Sequence, residues 1–219
     1  MTLKKTTISL RLSSLKRDDS GLAIIEFAYS LPVLMILFMA GLEVANLAIA
    51  HMRVSQMAML VADNASRVRK SIDEANINQI FIGAETASGS LKFKANGRIF
   101  LSDLEPNGLA SPNTGQYIRW QRCWGDGNFT SSYGVTNDGK TNSSMSTGMG
   151  PGTTAATKIS AADGTAVMFV EVAYNYQPLI SNAIFGNKVI RYTSAFNVRE
   201  RTDQAITNAG SPAATVASC

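Results

Sequence analysis

Residues 21–42 are almost entirely apolar, and they constrain the chain more than any other stretch. Glu26 is the one charged residue in the run, and the next acid, Glu43, follows its end. A helix of about 20 apolar residues, rising ~1.5 Å per residue, crosses the ~30 Å hydrocarbon core of a bilayer. The rest of the chain then falls into a short arm before the run and a larger body after it.

Charge is divided unevenly between those parts. Residues 1–21 hold Lys4, Lys5, Arg11, Lys16 and Arg17 against Asp18 and Asp19, whereas the remainder holds 15 basic and 14 acidic side chains. Positive charge beside a hydrophobic helix favours retention of that end in the cytoplasm, so the body is expected on the far side of the membrane. The near-balance of charge beyond the run offers no clustered basic face of the kind a nucleic-acid partner requires. With 219 residues in all, the chain has room for one domain beyond the membrane segment.

Within the apolar run, Pro32 removes a backbone donor and crowds the carbonyl of Ala28, so a kink or local loosening is expected there. A carboxylate placed deep in a membrane costs roughly 2.5–3.5 kcal/mol and usually has a partner or a role. In an uncut chain Glu26 would instead sit in the headgroup region, four residues inside the apolar edge. Beyond Gly41 a helical stripe continues through Val54, Met57, Ala58, Val61, Ala65, Val68 and Ile72 at steps of three and four. The spacing predicts one helix from Leu22 to about Ser71, roughly 75 Å long. His51, the only histidine, lies on it as a polar residue near the membrane exit, with no chemistry assigned.

From about residue 76 the pattern shifts towards strands. Residues 79–82, 97–101 and 116–120 are short candidates between turn-forming residues. Residues 125–158 are rich in Gly, Ser, Thr and Asn, lack the apolar content for a core of their own and read as a surface excursion. Asp126, Asn128, Asn137 and Asp138 lie there, but their spacing matches no calcium loop. In 165–177, Met168, Val170, Val172, Tyr174 and Tyr176 alternate onto one face, with Glu171 opposite, and Pro178 ends the strand. A link through Phe185, Gly186 and Asn187 leads to 188–198, where Ile190, Tyr192, Ser194, Phe196 and Val198 alternate again. The two runs predict an antiparallel pair with one buried face.

Cys123 and Cys219 are the only cysteines. In an exported body they are expected to form one disulfide. No nucleophile elbow, phosphate loop or metal-ligand cluster appears in the sequence, so neither enzymatic activity nor a cofactor or metal is expected.

The junction Gly21-Leu22-Ala23-Ile24-Ile25-Glu26-Phe27 resembles a prepilin-peptidase site: a small residue, four apolar residues, then Glu and an aromatic. Together with Arg17-Asp18-Asp19-Ser20 before it, Leu31-Pro32-Val33-Leu34 after it and Glu43 following Gly41-Leu42, it resembles the TadE-like minor pseudopilins of tight-adherence pili. The likeness is greatest over residues 16–60, weaker over 170–179 and slight over 80–160. It implies cleavage after Gly21 by an aspartic prepilin peptidase. Leu22 would then be the first mature residue, Glu26 the acid used in processing or assembly, and Phe27 the aromatic after it. Phe27 stands where major pilins of these systems tend to have Tyr, and the body is too large for those very small subunits. A minor component is therefore implied.

The expected fold class is α+β: a long N-terminal transmembrane and stalk helix followed by a small antiparallel β-containing head. The expected domains are a cytoplasmic leader (1–21), the helix (22–72) and an exported head (73–219). The resemblance implies residence in a bacterial inner membrane, with the N-terminus cytoplasmic and the head periplasmic or incorporated in a pilus. It implies as partners the peptidase, other pilins and pseudopilins, and Tad assembly proteins. Three other readings stay open: an uncleaved single-pass anchor whose head binds a partner or surface glycan, an exported enzyme with a signal anchor, and ordinary signal cleavage after Ala50.

Overall fold

The computed structural model describes residues 21–180, 186 and 188–219. The leader up to Ser20, and Phe185 and Asn187 of the expected link, lie outside the described residues. The chain divides into two compact units, Met1–Asn46 and Leu47–Cys219.

Helix α1, Leu22–Ser66, runs without interruption through Pro32. In the first unit it exposes most of its large apolar side chains, Ile24, Phe27, Leu34, Ile36 and Phe38 among them. Its sequence is long and apolar enough to cross a membrane, with a mean hydropathy of 2.2 over an 18-residue window. In the second unit the same helix is amphipathic. Ala50, Val54, Met57, Ala58, Val61, Ala62 and Ala65 are buried in the main core. The helix ends before the expected Ser71. Ser66 turns its hydroxyl back onto the Asp63 carbonyl, and the Arg67 amide closes the last turn on that carbonyl. Ile72 reaches the core from strand β1 (Ile72–Asp73), which pairs in parallel with β6 (Ile206–Thr207).

The candidate strand at 79–82 is incorrect, because those residues lie inside helix α2, Glu74–Ser88. Asp73 caps α2: its carboxylate accepts from the Ala75 amide, and the Asn76 side chain accepts from the Asp73 amide. Ile77, Ile80, Phe81, Ala84 and Ser88 are buried at three- and four-residue steps. A short helix α3, Phe93–Asn96, leads into the sheet.

Strands β2 (Gly97–Pro106), β3 (Gln116–Trp124), β4 (Val167–Asn175) and β5 (Val189–Asn197) form an antiparallel sheet in the order β3-β2-β4-β5. The candidates at 97–101 and 116–120 thus fall within β2 and β3, and the β4–β5 pair forms as the alternation predicts. The inner face carries Ile99, Leu101, Trp120, Met168, Val170, Val172, Tyr174 and Ile190, which share the core with α1 and α2.

The expectation of a single buried face needs correction, since eight of the nine residues of β4 are buried. The segment after β3 folds over the outer face and supplies Met145, Met149 and Ala161. These join Leu104, Ile118, Val167 and Phe169 in a second, smaller core, with Tyr133 edge-on to Phe169. The excursion at 125–158 is therefore a cover built largely of turns, stapled by a few large side chains. Gly139 shows why small residues are needed: at φ 78° a Cβ there would lie 2.1 Å from the Gln116 carbonyl oxygen.

Candidate functional site

The residues of the expected processing junction are described from Gly21 onward. Gly21 and Glu26 are exposed, as are Leu22 and Phe27. Leu22 opens α1. Among the described residues no non-neighbouring atom lies within 4 Å of the position a Cβ would take at Gly21. Leu22 and Glu26 are one helical turn apart, on the same side of α1. An amino group created at Leu22 would therefore lie near the Glu26 carboxylate, at the positive end of the helix dipole. Pro32 cannot donate to the Ala28 carbonyl. The carbonyl one residue before it, that of Phe27, accepts from the Ser30 hydroxyl at 3.0 Å.

In the head, the Cys123 and Cys219 sulfurs are bonded at 2.12 Å across 96 residues of sequence. The tail that carries Cys219 runs along the outer edge of β3, where the Cys123 amide donates to the Ala217 carbonyl at 2.8 Å. The Arg98 guanidinium donates to the Cys219 carbonyl at 3.0 Å, and the Asn78 amide of α2 donates to the Thr215 carbonyl at 2.8 Å. The tail thus joins α2, β2 and β3.

Sequence reasoning missed the burial of Glu74, Asp103 and Glu171, although it placed Glu171 opposite the apolar face. Glu74, in the first turn of α2, accepts from Nε of Arg122 at 2.9 and 3.0 Å, and Nη2 of Arg122 also pairs with it. Glu171 points into the outer face, 1% exposed, and accepts from Arg191 at 2.6 Å and from the Ser132 amide at 2.8 Å. Asp103 is fully buried on the inner face, beside a shift in the β2–β3 register. Neither of its oxygens accepts a hydrogen bond, and in the protonated form the carboxyl is a donor to Glu105. Burial, reinforced by the negative charge of Glu105, pushes its pKa up to about 8, while Arg201 and Arg119 pull the other way. Arg201 is committed elsewhere: it donates to Oε1 of Gln204 at 2.7 Å and to the Ala65 carbonyl at 3.3 Å. The signal available in the sequence was an acid flanked by strand residues, Asp103 between Ser102 and Leu104 in β2 and Glu171 between Val170 and Val172 in β4. His51, left without a role, approaches the Tyr192 hydroxyl at 3.2 Å.

Among the described residues no group of three or more His, Cys, Asp or Glu side chains is placed to hold a metal ion. Asp138 instead caps a turn, accepting from the Val135 amide at 2.8 Å.

Together these features define a chain with one N-terminal helix apt to span a membrane and a disulfide-tied α+β head. Comparison with protein-family models, with curated proteins and with solved structures finds no match.

Proposed function

We propose that this chain is a minor pseudopilin, processed after Gly21 and used in assembling, priming or capping a tight-adherence pilus. The observation that carries the reading is the junction itself. A small residue, four apolar residues, Glu26 and Phe27 sit at the exposed start of a helix long and apolar enough to span a bilayer. In this reading the leader stays cytoplasmic and the first part of α1 lies in the inner membrane, among the helices of other pilins and pseudopilins. The head works in the periplasm or on the pilus as a binding and assembly element without enzymatic activity. A disulfide between Cys123 and Cys219 suits an oxidising compartment of that kind.

The test is the N-terminal sequence and intact mass of the protein purified from its native membrane, with and without the prepilin peptidase of the system. A chain beginning at Leu22 only when the peptidase is present supports the reading. A chain that keeps its leader in both cases overturns it and leaves an uncleaved anchor. A start at His51 makes it an ordinary secreted protein. Replacing Glu26 with Leu is expected to abolish recovery of the protein with assembled pili. Unchanged recovery, together with unchanged cleavage, removes the role assigned to that acid.

A further inference from the structure

The two edges of the head's sheet are treated differently by the fold. Along β3, the amides of Gln116, Ile118 and Cys123 donate to the carbonyls of Met145, Asp138 and Ala217, so the cover and the tail shield that edge. Strand β5 lies at the other end of the strand order.

Which β5 groups are unpaired follows from the ladder. The Tyr176 amide donates to the Lys188 carbonyl and the Val198 amide to the Ala166 carbonyl. With the register between them unbroken from Asn175–Val189 to Val167–Asn197, the even-numbered residues of β5 face β4. Alternation in an antiparallel ladder then turns the N–H and C=O of Val189, Arg191, Thr193, Ala195 and Asn197 outward. Among the described residues nothing accepts from or donates to those outward groups.

Exposed edges invite strand addition, and proteins usually blunt them with proline, lysine, bulges or a covering loop. β5 has neither proline nor lysine, and its pairing has no register shift. Its single charge, Arg191, is neutralised by Glu171.

Beside the Phe196 end of β5 lies a groove against α1. Met59, Leu60 and Phe196 give it an apolar lining, and Asp63, Arg67 and Arg199 stand at its end. Arg67 and Arg199 both pair with the one acid, Asp63, at 2.9 and 3.1 Å. The groove end therefore carries an excess of positive charge.

We propose that β5 is a docking edge for an extended segment of another polypeptide. The segment would add antiparallel to β5, lay alternate apolar side chains on Met59, Leu60 and Phe196, and bring an acidic N-terminal end to Arg67 and Arg199. The antiparallel sense is the more stable pairing, and it sets the acid at the incoming strand's N-terminal end. Main-chain bonds supply affinity in this mode, and the groove supplies selectivity. The inference is independent of processing at Gly21, since the edge and groove lie wholly within the second unit.

The test uses the oxidised full-length protein in detergent micelles. The probe is a capped nine-residue synthetic peptide of alternating valine and threonine that begins with two aspartates, and its reversed sequence is the control. Amide hydrogen exchange is expected to slow at Val189, Arg191, Thr193, Ala195 and Asn197 with the probe. Binding of the probe is expected to weaken about tenfold with Arg199→Glu, a change of about 1.4 kcal/mol. Thr193→Pro removes one outward N–H and no bond to β4, so binding is expected to be lost while the fold is kept. If that variant fails to fold, Arg199→Glu and the reversed peptide still decide the matter. Absence of protection at millimolar probe overturns the proposal. Equal binding of the reversed peptide overturns the assigned polarity. Protection of β5 without peptide, rising with protein concentration, overturns it in favour of a second copy of this chain.

Discussion

At the residue scale, Asp103 is the position where charge and burial are most at odds. Its carboxyl has a pKa near 8 in the folded head, against about 3.9 in an unfolded chain. Between those values the folded state holds a proton that the unfolded state has lost, so stability falls as pH rises from about 4 to 8 and levels off above. Asp103→Asn removes that dependence. The variant is expected to show nearly equal denaturant midpoints at pH 5 and pH 8, while the parent loses several kcal/mol over the same interval. A parent whose midpoint is flat across that range would refute the assignment. Glu171 is the opposite case, a buried carboxylate with its partners in place. Glu171→Ala leaves the Arg191 guanidinium with only the Ser132 hydroxyl as acceptor and frees the Ser132 amide. Breaking such a pair costs about 3–5 kcal/mol for a fully buried partner. Arg191 is 41% exposed, so a loss of about 2 kcal/mol is expected in urea unfolding, with earlier proteolysis near residues 131–132. Equal stability would show that the cover does not depend on this contact.

At the scale of elements, the C-terminal tail has no regular structure beyond β6, yet it is fixed at several points. In the chain-entropy view, a disulfide closing a loop this long restrains the unfolded chain by about 4–5 kcal/mol. Cys219→Ser is expected to lower stability by about 2–5 kcal/mol. It should also speed exchange at the Cys123 amide, which is bonded to Ala217. An unchanged exchange rate would show that the tail's other hydrogen bonds hold that edge without the sulfur link.

What the sequence revealed of these elements followed their periodicity. The long helix and the β4–β5 pair were legible because each carries its own local signal, and the cysteine pair because the chain has only two cysteines. Helix α2 was missed because Gln79-Ile80-Phe81-Ile82 reads locally as a strand. The contrary signal needed a wider window, one that includes the cap at Asp73 and the helical spacing of Ile77, Ile80, Phe81 and Ala84. The outer core was illegible for a different reason. Met145 and Met149 are sparse among turn residues, and their partners Leu104, Ile118 and Phe169 come from three strands, so no local window contains the cluster. At the junction, the order of residue types was legible, and the structure adds their exposure and helical phase. The buried acids Asp103 and Glu171 could be noticed in the sequence but not paired, because their neighbours are brought together only by the sheet.

At the scale of the whole molecule, the boundary between elements and the boundary between packed units do not coincide. Helix α1 ends at Ser66, but the second unit begins at Leu47. Seven residues between those points, from Ala50 to Ala65, are at most 1% exposed. The head therefore borrows a wall from the helix that precedes it. A soluble fragment beginning at Leu47 is expected to fold, with cooperative unfolding and an intact Cys123–Cys219 link. One beginning at Ile72, though it keeps every strand, is expected to be soluble only as a partly ordered, dye-binding species. Cooperative unfolding of the shorter fragment would show that the sheet and α2 suffice. Where a chain like this can be divided is set by which side chains share a core, and dividing it where the helix stops would open to water the part of the sheet's inner face that α2 does not cover.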